Sequence, residues 1–408
     1  MRRARYKYLF LSLFALSAIV LLPFFSVSQN TQVADSVSRF NSFKHNSNGF
    51  IFTTSDGRFE LHFASRLQFR FSTHNDLNPL NYDDFDLSNA QLFKINRARL
   101  KIGGHVYQPW IKYYFEYELS QSNLLDFRLM FDKLQWFKVK FGQWKTEFTR
   151  ERFISSGEQQ MVDRSLINRV FTLDRQQGLT VYGHLKEKKL ADFDYWVAVL
   201  TGMGMGATEN DDNKLMYFGR LQWNFLGREL LFEGGDLELT KKPTGIFAVA
   251  AVTNTSPYTR FSQSGGGSLE GYEDGVAGQY TVNQVQFESA FNYMGFSWAS
   301  EFHRKEINDN VNFTKTMLGG YYMQMGYFPH QILLFWPEPL EIAARFSQYR
   351  PDVKADGNNQ NEFALAFNWF FVGHKNKLTA EITRFVFNNQ ILPQRNQTRF
   401  RIQYDISF

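Results

Sequence analysis

The 408-residue chain contains no cysteine, which excludes disulfides and thiolate metal sites. Beyond residue 28 it has no uninterrupted apolar run of the ~18 residues that a membrane-spanning helix requires. Its eight histidines show no metal-ligand spacing, and no glycine-rich phosphate loop precedes a helix, so the sequence gives no footing for a metal or nucleotide enzyme. A genuine charge excess is missing too. Four basic residues and no acid lie in the first 28 positions, and without them 41 Lys and Arg face 40 Asp and Glu. Bulk charge therefore argues for neither a nucleic-acid partner nor an anionic solute; only the placement of charges can.

The N-terminus reads as a secretory signal peptide, residues 1–28. Arg2, Arg3, Arg5 and Lys7 precede an apolar run from Leu9 to Phe25, and the small residues of Ser26-Val27-Ser28 suit cleavage after Ser28. Aromatic residues are abundant: 44 Phe, and 17% Phe, Trp and Tyr together. They alternate with polar residues instead of clustering as an aliphatic core, a combination that suits a barrel with lipid outside and water inside. The Ser- and Asn-rich stretch from Gln29 to about Ser55 reads as a mobile periplasmic segment (29–55), and residues 56–408 as an outer-membrane β-barrel.

Period-two alternation is clearest at the two ends of this region. Phe59, Leu61, Phe63, Leu67, Phe69 and Phe71 share one face against Glu60, His62, Arg66, Gln68 and Arg70. Phe400, Ile402, Tyr404, Ile406 and Phe408 likewise alternate with Arg399, Arg401, Gln403, Asp405 and Ser407. Turn signals divide residues 59–408 into about 16 strands, an all-β, transmembrane antiparallel barrel. Leu230 to Leu239 could add a strand, but an even count assigns it to a long periplasmic turn. Tyr404, Ile406 and the terminal Phe408 resemble the signal read by the outer-membrane assembly machinery, which points to the outer membrane of a Gram-negative bacterium.

The connection Thr149 to Gln176 is the longest of the outside set and is rich in charge. A loop of that length needs a use, and the expectation is that this third external loop folds inward and constricts the lumen with Arg150, Arg152, Ser155, Ser156, Arg164, Arg169 and Arg175. Parity places Arg66, Arg70, Arg97, Arg99, Lys101, Arg399 and Arg401 on the inner face of three adjacent strands, Arg399 and Arg401 beside Arg66 and Arg70. Lys138 and Lys140 would face them across the lumen. Such a wall favours small anions; pairing with Glu60, Glu116, Glu118 or Asp405 would instead merely stiffen the barrel. The carboxylates of Asn81 to Asp86 lack the spacing of a calcium loop and read as a solvated turn. His62, His105, His303 and His330 fall on different strands or turns with no nucleophile arrangement, so neither an enzyme nor a cofactor is expected. A barrel plugged by its own third loop, serving as a docking element in an envelope complex, is the remaining alternative.

The sequence resembles the phosphate-selective porins O and P. The likeness is densest in Phe93-Lys94-Ile95-Asn96-Arg97-Ala98-Arg99-Leu100 and in Val139 to Phe148, and continues through Glu151-Arg152, Ser155-Ser156, Arg164-Ser165-Leu166 and Asp174 to Leu179. It implies a trimer of 16-stranded barrels whose lumen arginines guide phosphate. Glu147 stands where the family often has Pro.

Overall fold

A computed structural model describes residues 40–46, 49–74, 76–79, 83–86, 91–188, 190–261, 267–389 and 393–408. The expected signal peptide, most of the segment after it, and Asn81 and Tyr82 of the acidic turn lie outside the described residues; Asp83–Asp86 form one 3-10 turn.

The first two strands are β1 (Phe40–Asn46) and β2 (Gly49–Thr54). Then come β3 (Phe59–Ser72), β4 (Leu92–Val106), β5 (Gln108–Glu118), β6 (Asn123–Phe131), β7 (Lys138–Lys145), β8 (Arg175–Lys188), β9 (Ala191–Leu200) and β10 (Met216–Trp223). The second half holds β11 (Thr244–Ser256), β12 (Tyr280–Tyr293), β13 (Phe296–Asp309), β14 (Thr314–Tyr327), β15 (Leu340–Arg350), β16 (Gln360–Val372), β17 (Asn376–Phe387) and β18 (Arg395–Ser407). Each strand from β3 to β18 pairs antiparallel with the next, and β18 pairs with β3, closing a 16-stranded barrel. Pairing β18 with β3 joins the two ends of the 16-strand sheet, which is what lets a sheet cross a bilayer. The stretch 224–243 contains no strand, as the even count requires.

Alternation sets the two faces. On β16, Phe363, Leu365, Phe367 and Trp369 point outward and exposed while Glu362, Ala364, Ala366 and Asn368 are buried inside. Connections 73–91, 146–174, 201–215 and 257–279 leave from one rim, here the loop rim; 224–243 and 328–339 leave from the opposite, turn rim.

One element departs from expectation. Residues 40–54, expected to be mobile, form a β1–β2 hairpin whose second strand pairs Phe50 to Thr53 with Phe63 to Glu60 of β3. The cause lies in the closure: β18 covers β3 only from Arg66 to Ser72. The first residues of β3 would otherwise present an unpaired edge.

Candidate functional site

Segment 146–174 is bonded to strands around most of the ring. The Phe148 carbonyl accepts from Arg220 of β10 (3.3 Å) and Gln286 of β12 (3.0 Å). The Val170 carbonyl accepts from Lys305 of β13 (3.0 Å), and the Gln160 side-chain oxygen from Gln324 of β14 (2.7 Å). The Asp163 carbonyl accepts from Arg345 of β15 (2.9 Å). The Leu166 and Val162 amides donate to Glu362 of β16 (2.6 Å) and Glu381 of β17 (2.8 Å). From β3, Arg66 donates to the hydroxyls of Ser155 and Ser156, both at 2.8 Å. Gly157 permits that approach, since a Cβ there would lie 2.3 Å from Arg66 Nη1. These bonds tie the segment to β10 and to β12 through β18, and open space lies against β3 to β8.

Three cavities occupy that space. A vestibule of about 380 Å³ at the loop rim is lined by Arg70, Lys94, Arg97, Arg164, Arg169 and Arg260, with Asp76 and Asp163. Next comes an eyelet of about 150 Å³, where Arg97, Arg99, Lys145, Arg152, Arg164 and Arg175 face two carboxylates, Glu118 and Asp174. A vestibule of about 950 Å³ at the turn rim holds Arg66, Lys101, Lys112 and Lys375 against Glu60, Glu158, Glu233 and Glu238, so its charges balance. Two β-bulges flank the eyelet: β4 carries an extra residue, Asn96, opposite Gln68 and Phe69, and β6 an extra Leu125 opposite Glu116 and Tyr117. Bulges re-aim side chains, and both extra residues line the eyelet.

Several of its cations are neutralised. Arg99 donates to Glu118 (2.8 Å) and Glu116 (2.7 Å), Arg175 to Asp126 (2.7 Å) and Arg152 to Asp174 (2.6 Å). Three are not. Arg164 donates only to the carbonyls of Glu151, Arg152 and Ile154, and Lys145 to that of Ile154 (3.2 Å). Arg97 donates to Gln68 (2.7 Å) and comes no nearer than 4.0 Å to Asp163. Burial, with Arg152 and Arg97 nearby, holds the Arg164 guanidinium well below its usual pKa. Glu151 and Asp174 offset this only in part.

Asp163 sits where β18 and β3 meet β4. Its Oδ2 accepts from Arg70 (2.7 Å) and Arg401 (2.8 Å). Burial pushes its carboxyl up, but Arg70, Arg401 and Arg97 together hold it well below the usual range, so it stays ionised.

Four expected placements are corrected. Arg401 pairs with Ser72, while Gln403 and Ser407 stand opposite Arg70 and Arg66. The cause is the stagger of closure, which alternation does not encode; Arg399 is thereby left at the loop rim, donating to the carbonyls of Asp76 and Leu77. Lys138 and Lys140 do not face the arginines across the lumen, because β7 follows β4 after only two strands. Lys140 is bound to Glu147, the residue in the position of the family's proline, and Lys138 stands 5.9 Å over the Tyr182 ring. Arg150 turns away from the eyelet to the Leu231 carbonyl and lies 4.9 Å over the Phe232 ring. Arg169 belongs to the loop-rim vestibule rather than the constriction. Sequence reasoning missed Lys145 and Asp163. Lys145 ends its strand, where alternation loses meaning, and Asp163 is one charge among many in its loop.

Tyr404 and Ile406 lie on β18, and the Phe408 backbone pairs with Ser65 (2.7 and 3.0 Å). Among the described residues no group of three His, Asp or Glu side chains could hold a metal ion.

Solved structures of similar fold are outer-membrane proteins, porins and channels among them. They include the channel DcaP of Acinetobacter baumannii (11% identity, TM-score 0.56, covering 88% of this chain and 99% of that one). An anion-selective porin from Comamonas acidovorans (8%, 0.52, 85% and 99%) and trimeric OmpT of Vibrio cholerae (9%, 0.53, 85% and 99%) are alike in the same way. At these identities the likeness establishes the fold. No curated protein sequence matches. A family model, phosphate-selective porin O and P, matches residues 67–382. Fold and family together make this an outer-membrane channel for small solutes in a Gram-negative envelope, and the chain belongs to the family of phosphate-selective porins O and P.

Proposed function

We propose that the channel passes small oxyanions, phosphate or its chemical relatives, through the eyelet between segment 146–174 and β4 to β8. One observation carries this reading: six cationic side chains face two carboxylates there, and among the described residues Lys145 and Arg164 have no carboxylate bound while Arg97 meets Asp163 only at 4.0 Å. An oxyanion satisfies those donors as its water is stripped, whereas a cation meets the same ring unshielded. Segment 146–174 is the constriction. Its seam is Arg66 with Ser155 and Ser156, because eyelet and turn-rim vestibule share no lining residue. An anion leaving Arg99 takes the place of the serine hydroxyls on Arg66 and is released into a vestibule of balanced charge. That seam also favours a second reading, a barrel plugged at Arg66; absence of any current would select it.

The Comamonas relative is an anion-selective porin and the Vibrio one a trimer. We extend both properties to this chain, along with removal of residues 1–28 on export and assembly through Tyr404, Ile406 and Phe408. Arg97→Glu with Arg99→Glu tests the assignment. Reversing both charges at about 7 Å from a permeating ion amounts to roughly 2 kcal/mol even at the dielectric of water. Anion over cation permeability should fall more than about tenfold; unchanged selectivity would refute the proposal.

A further inference from the structure

The outward face of the barrel is not uniform. On β3, β4 and β6, apolar side chains continue to the loop rim, with Phe93, Ile95 and Leu124 exposed there. On β12 to β17 the apolar band stops short of that rim. Along single strands Val285 gives way to Asn283, Phe302 to Arg304, Phe346 to Gln348 and Arg350, Phe363 to Asn361, and Ile382 to Arg384. Cross-strand bonds tie this belt together, Thr253 to Asn283 at 2.8 Å and Gln348 to Asn361 at 2.9 Å.

A groove of about 520 Å³ opens at the boundary, on the outside of β10 to β14. Gly219 and Ala251 supply its hollow floor; Tyr217, Val285 and Met317 its walls; Arg304 and Glu306 its upper edge. Glu306 is already bound, to Lys315 and Asn308, both at 2.8 Å. Arg304 has no carboxylate within salt-bridge distance among the described residues and stands 5.3 Å over the Phe302 ring. It extends across Gly319, where a Cβ would come within 2.6 Å of its Nη1. Register places Gly319 between Arg304 on β13 and Arg350 on β15. Arg350 Nη2 donates to the carbonyls of Val353 and Ala355.

An outward cation is costly at the bilayer midplane and close to free near the interface. Arg304 stands where the apolar band ends, at headgroup depth. A guanidinium with no carboxylate, above an apolar hollow, matches an amphiphile with an anionic head: its planar fork fits a phosphate, and each methylene of a chain buried in the hollow adds to binding. We propose that Arg304, with Arg350 across Gly319, binds the phosphate of an outer-leaflet lipid whose acyl chain lies in the groove over Gly219 and Ala251. The occupant is a phosphorylated lipid rather than a free anion because the groove continues the cationic edge with apolar surface.

The test is native mass spectrometry of the purified full-length barrel in detergent, titrated with bisphosphorylated lipid A. The same lipid without phosphates and inorganic phosphate serve as further probes. One lipid should be retained per barrel. Arg304→Ala with Arg350→Ala should raise the half-saturating concentration by about tenfold or more, the loss of a charge-assisted pair, and so should filling the exposed groove with Ala251→Phe. The phosphate-free lipid should bind wild type as weakly as intact lipid binds the arginine variant. Inorganic phosphate should not displace the lipid, and Arg97→Glu with Arg99→Glu should leave retention unchanged. Equal retention by either groove variant, or displacement by inorganic phosphate, would overturn the proposal; the latter would move the headgroup to the lumen.

Discussion

Replacing Asp163 by Asn removes the one carboxylate of segment 146–174 that Arg70 and Arg401 both grip. The loop should keep its course, because Arg345 holds the Asp163 carbonyl and Glu381 the Val162 amide through backbone atoms that the substitution leaves in place. What changes is the field. An anion passing about 7 Å away loses a repulsion of roughly 0.6 kcal/mol at the dielectric of water and roughly 2.4 kcal/mol at an effective value of about 20. Its resting site should deepen by about 3-fold to about 50-fold in affinity. In a planar bilayer, the phosphate concentration that halves the chloride current should fall within that range while the reversal potential moves further toward chloride. A weaker block, or a reversal potential moved toward the cation, would show that Asp163 does not act on the permeating ion through this field and would refute the reasoning.

Glu151 anchors the start of the same segment: its Oε2 accepts from the Ser165 hydroxyl (2.7 Å), and its amide donates to Glu301 (2.7 Å). Burial raises its carboxyl to about 7, with Arg345 lowering it and Glu301 raising it further. The neutral acid therefore belongs to the folded loop. Its stabilisation is complete below about 4.5, the ordinary glutamate value, and is lost as pH rises through about 7. Current noise from loop motion should grow between pH 6 and 8, ranges set by that value, and Glu151→Gln should abolish the pH dependence; equal dependence in the variant would contradict it. Phe232, in the turn-rim stretch 224–243, packs 4.7 Å from Phe153 and under Arg150. Phe232→Ala should cost about 1 to 3 kcal/mol and broaden the single-channel conductance distribution, whereas an unaltered distribution would show that this turn does not brace the constriction.

Alternation made the barrel legible. A period of two fixes which face each residue of a strand takes, so the strand positions and the inward setting of Arg66, Arg70, Arg97 and Arg99 follow from the sequence. The stagger at closure does not. It depends on where β18 ends against β3, and it shifted Arg401 to Ser72 and left the edge that β2 covers. The path of segment 146–174 was hidden for a related reason. Its backbone is fixed by side chains from strands as distant in sequence as Arg66 and Glu381, and no local pattern encodes such partners. Arg150 shows the consequence: its charge suggested the pore, while its position is set by Phe232, a residue of another connection.

Anion selection at the eyelet is open to direct measurement. The reversal potential of the purified wild-type protein in a planar bilayer under a potassium chloride gradient tests it most directly, repeated after adding millimolar phosphate, about 1 to 10 mM, the range of a site worth roughly 3 to 4 kcal/mol. The arrangement of Arg97, Lys145 and Arg164 predicts a potential close to that of chloride and a current that phosphate reduces. A potential close to that of potassium would leave the barrel intact and contradict its assignment as an anion channel.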